Sequence, residues 1–306
     1  MSLTSSMYTG VSGLLADATA LNVEGNNLAN VNTVGFKGGQ TLFSTMLSST
    51  IGNNAQVGNG VQVQAIHNQF SAGSYQSSTN VTDVAIQGRG FFALAAPNAT
   101  TANAATAFYT QAGSFSVNSS NCLVNPDGYG VLDTAGNAIK FSATATDASG
   151  NTLQFQSVSG IDANGNISLL YADAKGDTAT LPYGGAGVVP AAALVGPPAV
   201  PATAAVNIAE VTVPNPQGMS SQSGTLFTLT TASGTPTLPA GAPAGSVFAS
   251  ANGISEKLLS NELEASNVDL GTELVNLLTT QRAYSANSKT ITTADQMTQT
   301  VLSLVQ

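Results

Sequence analysis

Tryptophan is absent from this 306-residue chain, and cysteine and histidine occur once each. A lone Cys122 rules out an intrachain disulfide framework. His67 and Cys122 together are too few ligands for a zinc site. Basic residues number 7 against 16 acidic ones, giving a formal net charge of -9, and they stand singly. Without a basic patch, nucleic acid and anionic membrane surfaces are poor partners. No apolar run approaches the ~20 residues of a membrane span. The first basic residue is Lys37, so a signal peptide with a charged leading region is not expected. Charged residues make up 8%, about a third of the usual share. Little electrostatic repulsion then keeps copies apart, which suits a subunit that associates with itself.

The patterns of catalysis are equally scarce. No G-x-S-x-G surrounds a serine, and no P-loop spacing occurs. Gly88-Arg89-Gly90 is a fragment of a phosphate-binding pattern without the helix that its mechanism needs, and reads as a hairpin turn. Asp83, Asp127, Asp133 and Asp162 fall in strand or turn patterns, where capping or solvated aspartates are ordinary. Asp162-Ala163-Asn164-Gly165 faintly resembles a calcium loop, but its glycine is misplaced and no glutamate closes it. No enzymatic activity, cofactor or metal is expected.

What is present is helix at both ends. From Leu270 the apolar positions run through Leu274, Leu277, Leu278, Tyr284, Ile291, Ala294, Met297, Val301, Leu304 and Val305 in steps that place them on one side of a helix. At the other end Met7, Val11, Leu14, Ala18, Leu21, Gly25 and Leu28 alternate steps of four and three, a heptad seam. The N-terminal helix is expected over about Ser5 to Ala29, and the C-terminal helical stretch after about Gly253. Narrow apolar stripes need partners, so these helices are expected to pack on each other or on other copies.

Between them the chain reads as β. Val81–Ile86 and Phe91–Leu94 form an expected hairpin about the glycine turn. Further strands are expected at Ala107–Thr110, Ser114–Val117, Tyr129–Leu132, Ala138–Phe141, Val206–Val213 and Thr225–Thr231, with short strands from Ala145 to Asp177. Asn125-Pro126-Asp127-Gly128 is a turn. Tyr183–Ala205 and Thr235–Gly245, rich in Gly, Pro and Ala, read as an irregular loop and a linker. The fold class is therefore α+β and multidomain. Long terminal α-helices form a coiled-coil-like unit (residues 1–36 with 253–306). An extended segment (37–70) leads to an inserted all-β domain of short antiparallel strands (71–252), with a variable insertion at 140–205.

Three blocks carry a family resemblance. Gly25-Asn26-Asn27-Leu28-Ala29-Asn30-Val31-Asn32-Thr33-Val34-Gly35-Phe36-Lys37 resembles the N-terminal signature of bacterial flagellar rod and hook proteins. Asp83-Val84-Ala85-Ile86-Gln87-Gly88-Arg89-Gly90-Phe91-Phe92 is similar to the family's second block. Leu263–Leu270, Glu273–Asn276 and Thr280–Tyr284 resemble the C-terminal block, while 140–205 is not covered. The resemblance implies an axial subunit that polymerises into a tube, with paired terminal helices inside and β domains outside. It implies passage through the flagellar export apparatus without a cleaved signal peptide, and a place in the hook or basal body at the cell exterior.

The C-terminal Glu-Ala-Ser-Asn-Val-Asp-Leu form resembles hook members most, which implies the flexible coupling between rod and filament. Partners would be copies of the chain and the rod, hook-cap and hook–filament junction proteins. A chain this short is also compatible with the distal rod, and a secreted β-rich adhesin is the reading from another class. The candidate assembly interface comprises Met7, Val11, Leu14, Ala18, Leu21, Asn26, Asn27, Leu28, Asn30, Gly35, Phe36, Leu270, Leu274, Leu277, Tyr284, Ile291 and Val301.

Overall fold

The computed structural model describes residues 3–46, 49–50, 56–147, 152–173, 176–184, 191–192, 207–236, 247–248 and 257–304. Most of the expected loop 183–205, much of the linker 235–245, and Ala148–Gly150, Gly253 and Val305 lie outside those residues. Among the described residues the chain is a mixture of two α-helices and many mainly antiparallel strands, divided into two compact units.

The first unit comprises Met1–Asn32, Lys37–Gln69 and Val268–Gln306, as far as these are described. Helix α1 spans Leu3–Ala29 and α2 spans Leu270–Leu304. At ~1.5 Å per residue, α2 is about 50 Å long. Asp269 caps it: its Oδ1 accepts from the Thr272 N–H at 2.7 Å and its carbonyl from the Glu273 N–H at 3.0 Å. Helix α1 runs on through the Gly25-Asn26-Asn27 run and stops only after Ala29, where Asn30 folds its amide back to the Asn26 carbonyl.

The stretch 37–70, expected as a connector, is extended but folds back on itself. Strands Gly39–Thr45 and Val61–Asn68 pair antiparallel, with a bulge between Leu42 and Phe43. This hairpin packs on α1, where the Val61 N–H donates to Ser12. Alternation of Val61, Val63 and Ala65 with glutamines gives it one face to bury.

The second unit comprises Thr33–Phe36 and Phe70–Asn267. Its centre is the strand Phe91–Ala95, buried along its whole length. Phe92 and Leu94 enter one hydrophobic cluster, with Val84, Ile86, Leu123 and Phe141; Phe91, Ala93 and Ala95 enter another, with Tyr109, Leu132 and Phe227. Each fully buried Phe or Leu stabilises by about 1.5–3 kcal/mol.

That double burial overturns the expected hairpin. Val84–Gln87 pairs not with Phe91–Ala95 but with Lys257–Ser260, whereas Phe91–Ala95 pairs with Phe108–Thr110, Gly130–Val131 and Glu210–Val211. A strand apolar on both faces needs neighbours of its own, and a two-stranded ribbon cannot supply them. The stretch before α2 is also β: Glu262–Glu264 pairs with Tyr75–Ser77. Ala138–Phe141 contributes isolated bridges rather than a strand.

A second sheet runs Thr178–Pro182, Ile167–Ala172, Thr152–Ile161, Thr144–Asp147 and Ala191–Ala192; only its last pairing is parallel. Ile167, Leu169 and Tyr171 point inward at alternate positions. The Tyr171 hydroxyl donates to the Ser142 carbonyl at 2.9 Å, and burial pushes its pKa up to about 12. Both expected turns form, with the Gly128 N–H donating to the Asn125 carbonyl and the Gly165 N–H to that of Asp162, each at 3.0 Å.

Candidate assembly interface

Helices α1 and α2 pack antiparallel, and the line along which they touch is not the leucine seam. On α1 the buried positions are Gly10, Gly13, Ala16, Ala20 and Asn27. On α2 the facing positions are Glu273, Leu277, Thr280, Asn287, Ile291, Ala294 and Thr298. A side chain on Gly10 would meet Ile291 Cγ1 at 2.9 Å, and one on Gly13 would meet Asn287 Nδ2 at 2.6 Å. At these two positions of α1 the backbones come too close for a leucine. The apolar seam read from the sequence sits one residue, about 100°, further round α1.

Polar rungs hold this close pair together. Asn287 donates to Asp17 at 2.8 Å, Thr280 donates to Glu24 at 2.8 Å, and Asn27 donates to Glu273 at 2.6 Å. Asn27 does more: its side chain donates to the Gly39 carbonyl and accepts from the Gly39 N–H, both at 2.8 Å. One buried amide therefore ties the end of α1 to the hairpin and to the first turn of α2. Burial raises the Glu24 pKa, the Thr280 hydrogen bond opposes that, and the Glu273 and Asp17 charges raise it further.

The expected interface residues divide into groups. Met7, Leu14, Ala18, Leu21 and Leu28 flank the contact line and are half-buried, while Val11 is exposed. Leu277 and Ile291 are on the line; Leu270, Leu274, Tyr284 and Val301 are exposed. Asn26 is exposed and bonded to Asn30. Asn27 is buried within its own unit.

Gly35 and Phe36 lie buried in the β-rich unit. Gly35 has φ +67°, donates to the Glu264 carbonyl at 2.7 Å, and has the Ala112 backbone 2.5 Å from where a Cβ would be. These are demands of the chain's own fold. The glycines and polar rungs are invisible to an apolar periodicity, which ignores Gly, Asn, Thr, Asp and Glu; their own three-and-four spacing is the signal that marks them.

Among the polar residues that the pairing leaves outside stand several large apolar ones. Tyr8 (76% accessible), Leu15 (67%), Val275 (62%) and Leu302 (63%) are the most exposed large hydrophobic side chains of the two helices, joined by Leu278 and Met297. Helices that bury glycine and hydrogen-bonded polar groups while exposing leucine and valine present surfaces suited to further protein. Among the described residues no group of acidic, His or Cys side chains is arranged to hold a metal, and no helix is long and apolar enough to cross a membrane.

The chain belongs to the flagellar rod and hook family of axial proteins, as three family models and full-length relatives show. The models are those of the flagella basal body rod protein over residues 7–37, the flagellar hook protein FlgE/F/G D1 domain over 85–169, and the flagellar basal body rod FlgEFG protein C-terminal over 259–304. The D1 match reaches past residue 140, into the stretch that the three sequence blocks do not cover.

The flagellar basal-body rod protein FlgG of Bacillus subtilis is 33% identical, covering 98% of both chains. That of Caulobacter vibrioides is 31% identical over 96% of both. The flagellar hook protein FlgE of Borreliella burgdorferi is 40% identical over 133 residues, 40% of this chain and 28% of its own. The chain is thus a structural subunit of the flagellar axis and not an enzyme. The C-terminal block and the N-terminal opening point to the hook, whereas likeness to a rod protein extends over 98% of this chain and this hook relative matches 40% of it.

Proposed function

We propose that this protein is the distal-rod subunit of a bacterial flagellum, polymerising into a straight, rigid tube of the basal body. The observation that carries the reading is the end-to-end match to rod proteins, 98% of both chains in one case. The paired helices act as the coiled-coil-like unit lining the channel. The exposed faces around Leu15, Val11, Val275, Leu278 and Val301 are where neighbouring copies pack, with Met7, Leu14, Leu21 and Leu274 at their edges. The β-rich unit forms the outer wall. Other axial proteins cap the two ends of the polymer, and subunits reach it through the flagellar export apparatus.

A second reading, the flexible hook, is favoured by the 40% identity to a hook protein over 133 residues. Electron microscopy of the purified polymer separates the two. Straight, short tubes are expected for the rod, whereas curved or supercoiled tubes would overturn the rod reading in favour of the hook. Complementation of a strain lacking its own rod subunit gives a second readout.

A further inference from the structure

We propose that the α1–α2 seam is a proton-sensitive clamp, tighter when Glu24 carries a proton and looser when it is ionised. The inference stands on the helix pair and is independent of the rod assignment. The seam gathers Asp17 and Glu24 from α1 and Glu273 from α2, and each is met by a neutral donor: Asn287, Thr280 and Asn27. Only one Glu24 oxygen is served in this way. Its Oε2 is buried with no hydrogen-bond partner. A charged oxygen without a donor, beside two other acids, is costly, and a proton removes the cost.

The charges that act on Glu24 are Glu273 across the seam and Asp17 two turns back, both negative. On α2 the basic residues Arg282 and Lys289 are exposed, and Asp295 is exposed and bonded to Gln299. The hairpin on α1 brings His67, with Lys37 just before it, and neither is among the charges acting on Glu24.

Burial, the largest cause, holds the Glu24 pKa above its ordinary value. A raised folded pKa means that protonation favours the paired state. That contribution is complete below the unfolded carboxyl's pKa and is lost as pH rises through the folded one. Acid should therefore tighten the clamp rather than loosen it, the reverse of an ordinary salt-bridged carboxylate.

The test follows the thermal midpoint of the dilute full-length chain by far-ultraviolet circular dichroism from about pH 4 to about pH 8, for wild type, Glu24→Gln and Thr280→Val. The Glu24 carboxyl carbon is titrated by NMR in parallel. Glu24→Gln is expected to melt above wild type at neutral pH, with the gap closing at the acid end. Thr280→Val removes the donor that favours the charged form, so it is expected to shift the wild-type pH dependence upward. A melting gap that is constant with pH, or a wild-type Glu24 titrating at or below an ordinary carboxyl, would overturn the proposal. If Glu24→Gln fails to fold, the NMR titration and Thr280→Val decide alone.

Discussion

Asn287 on α2 hydrogen-bonds Asp17 on α1 at 2.8 Å, and its amide fills the space that a side chain at Gly13 would require. Gly13→Val is therefore expected to force the helices apart, costing about 1–3 kcal/mol as overpacking does. A Cβ at Gly25, on the same helix, would have nothing within 4 Å. Gly25→Ala should gain about 0.5–1 kcal/mol from helix propensity alone. Thermal melts of the two variants check the contrast. Equal effects would mean that the backbones do not approach at Gly13.

Asn27 meets Gly39 twice and Glu273 once. Removing the amide leaves a buried carboxylate and two backbone groups without that partner. Asn27→Ala should cost about 3 kcal/mol or more, from penalties of about 1–3 kcal/mol for each group left unsatisfied. Asn27→Asp should cost more at neutral pH, because two carboxylates then face each other, and part of the loss should return in acid. Denaturant unfolding at the two pH values measures both effects.

Asp269 behaves in the opposite sense to Glu24. Its pKa is lowered, first by the backbone N–H of Thr272. A depressed folded pKa gives stabilisation that is present above the ordinary carboxyl pKa and lost as pH falls through the folded one. Asp269→Ser keeps a cap without a charge. It should abolish this acid-side loss of α2 helicity, as read by circular dichroism against pH, while leaving the Glu24-linked gain in place.

The exposed stripes should be dispensable to the single molecule. Leu15→Ser and Val275→Ser remove side chains that are 67% and 62% accessible, so each should change stability by no more than about 0.5 kcal/mol. Both should nevertheless block polymerisation. Melting curves and sedimentation of the same samples separate the two effects.

The two helices are legible in the sequence because long runs without proline and with three-and-four spacing have few other uses; Leu3–Ala29 lies close to the expected span, whereas α2 starts at Leu270 rather than near Gly253, Lys257–Ser260 and Glu262–Glu264 before it being strands. The turns at Gly128 and Gly165 are legible for a local reason, since their hydrogen bonds close within four residues. The helix contact line is not. Apolar spacing marks leucine and valine, and close approach is built here from Gly10, Gly13, Ala20 and polar rungs. The strand pairings are also hidden. Ile86 pairs with Leu258, far along the chain, and nothing in the local pattern of either strand names the other. In the same way, the buried alternation of Phe91 and Phe92 into two clusters marks a central strand only once both clusters are in view.

The central claim is that the oily faces of the helix pair are covered by neighbouring copies and not by the chain itself. Single cysteines at Leu15 and Leu278, in a Cys122→Ser background, test it through maleimide labelling rates in dilute monomer and in polymer. Fast labelling of the monomer and strong protection in the polymer at both positions is the expected result. Equal rates in the two states would show that these faces stay bare after assembly, and would contradict the account.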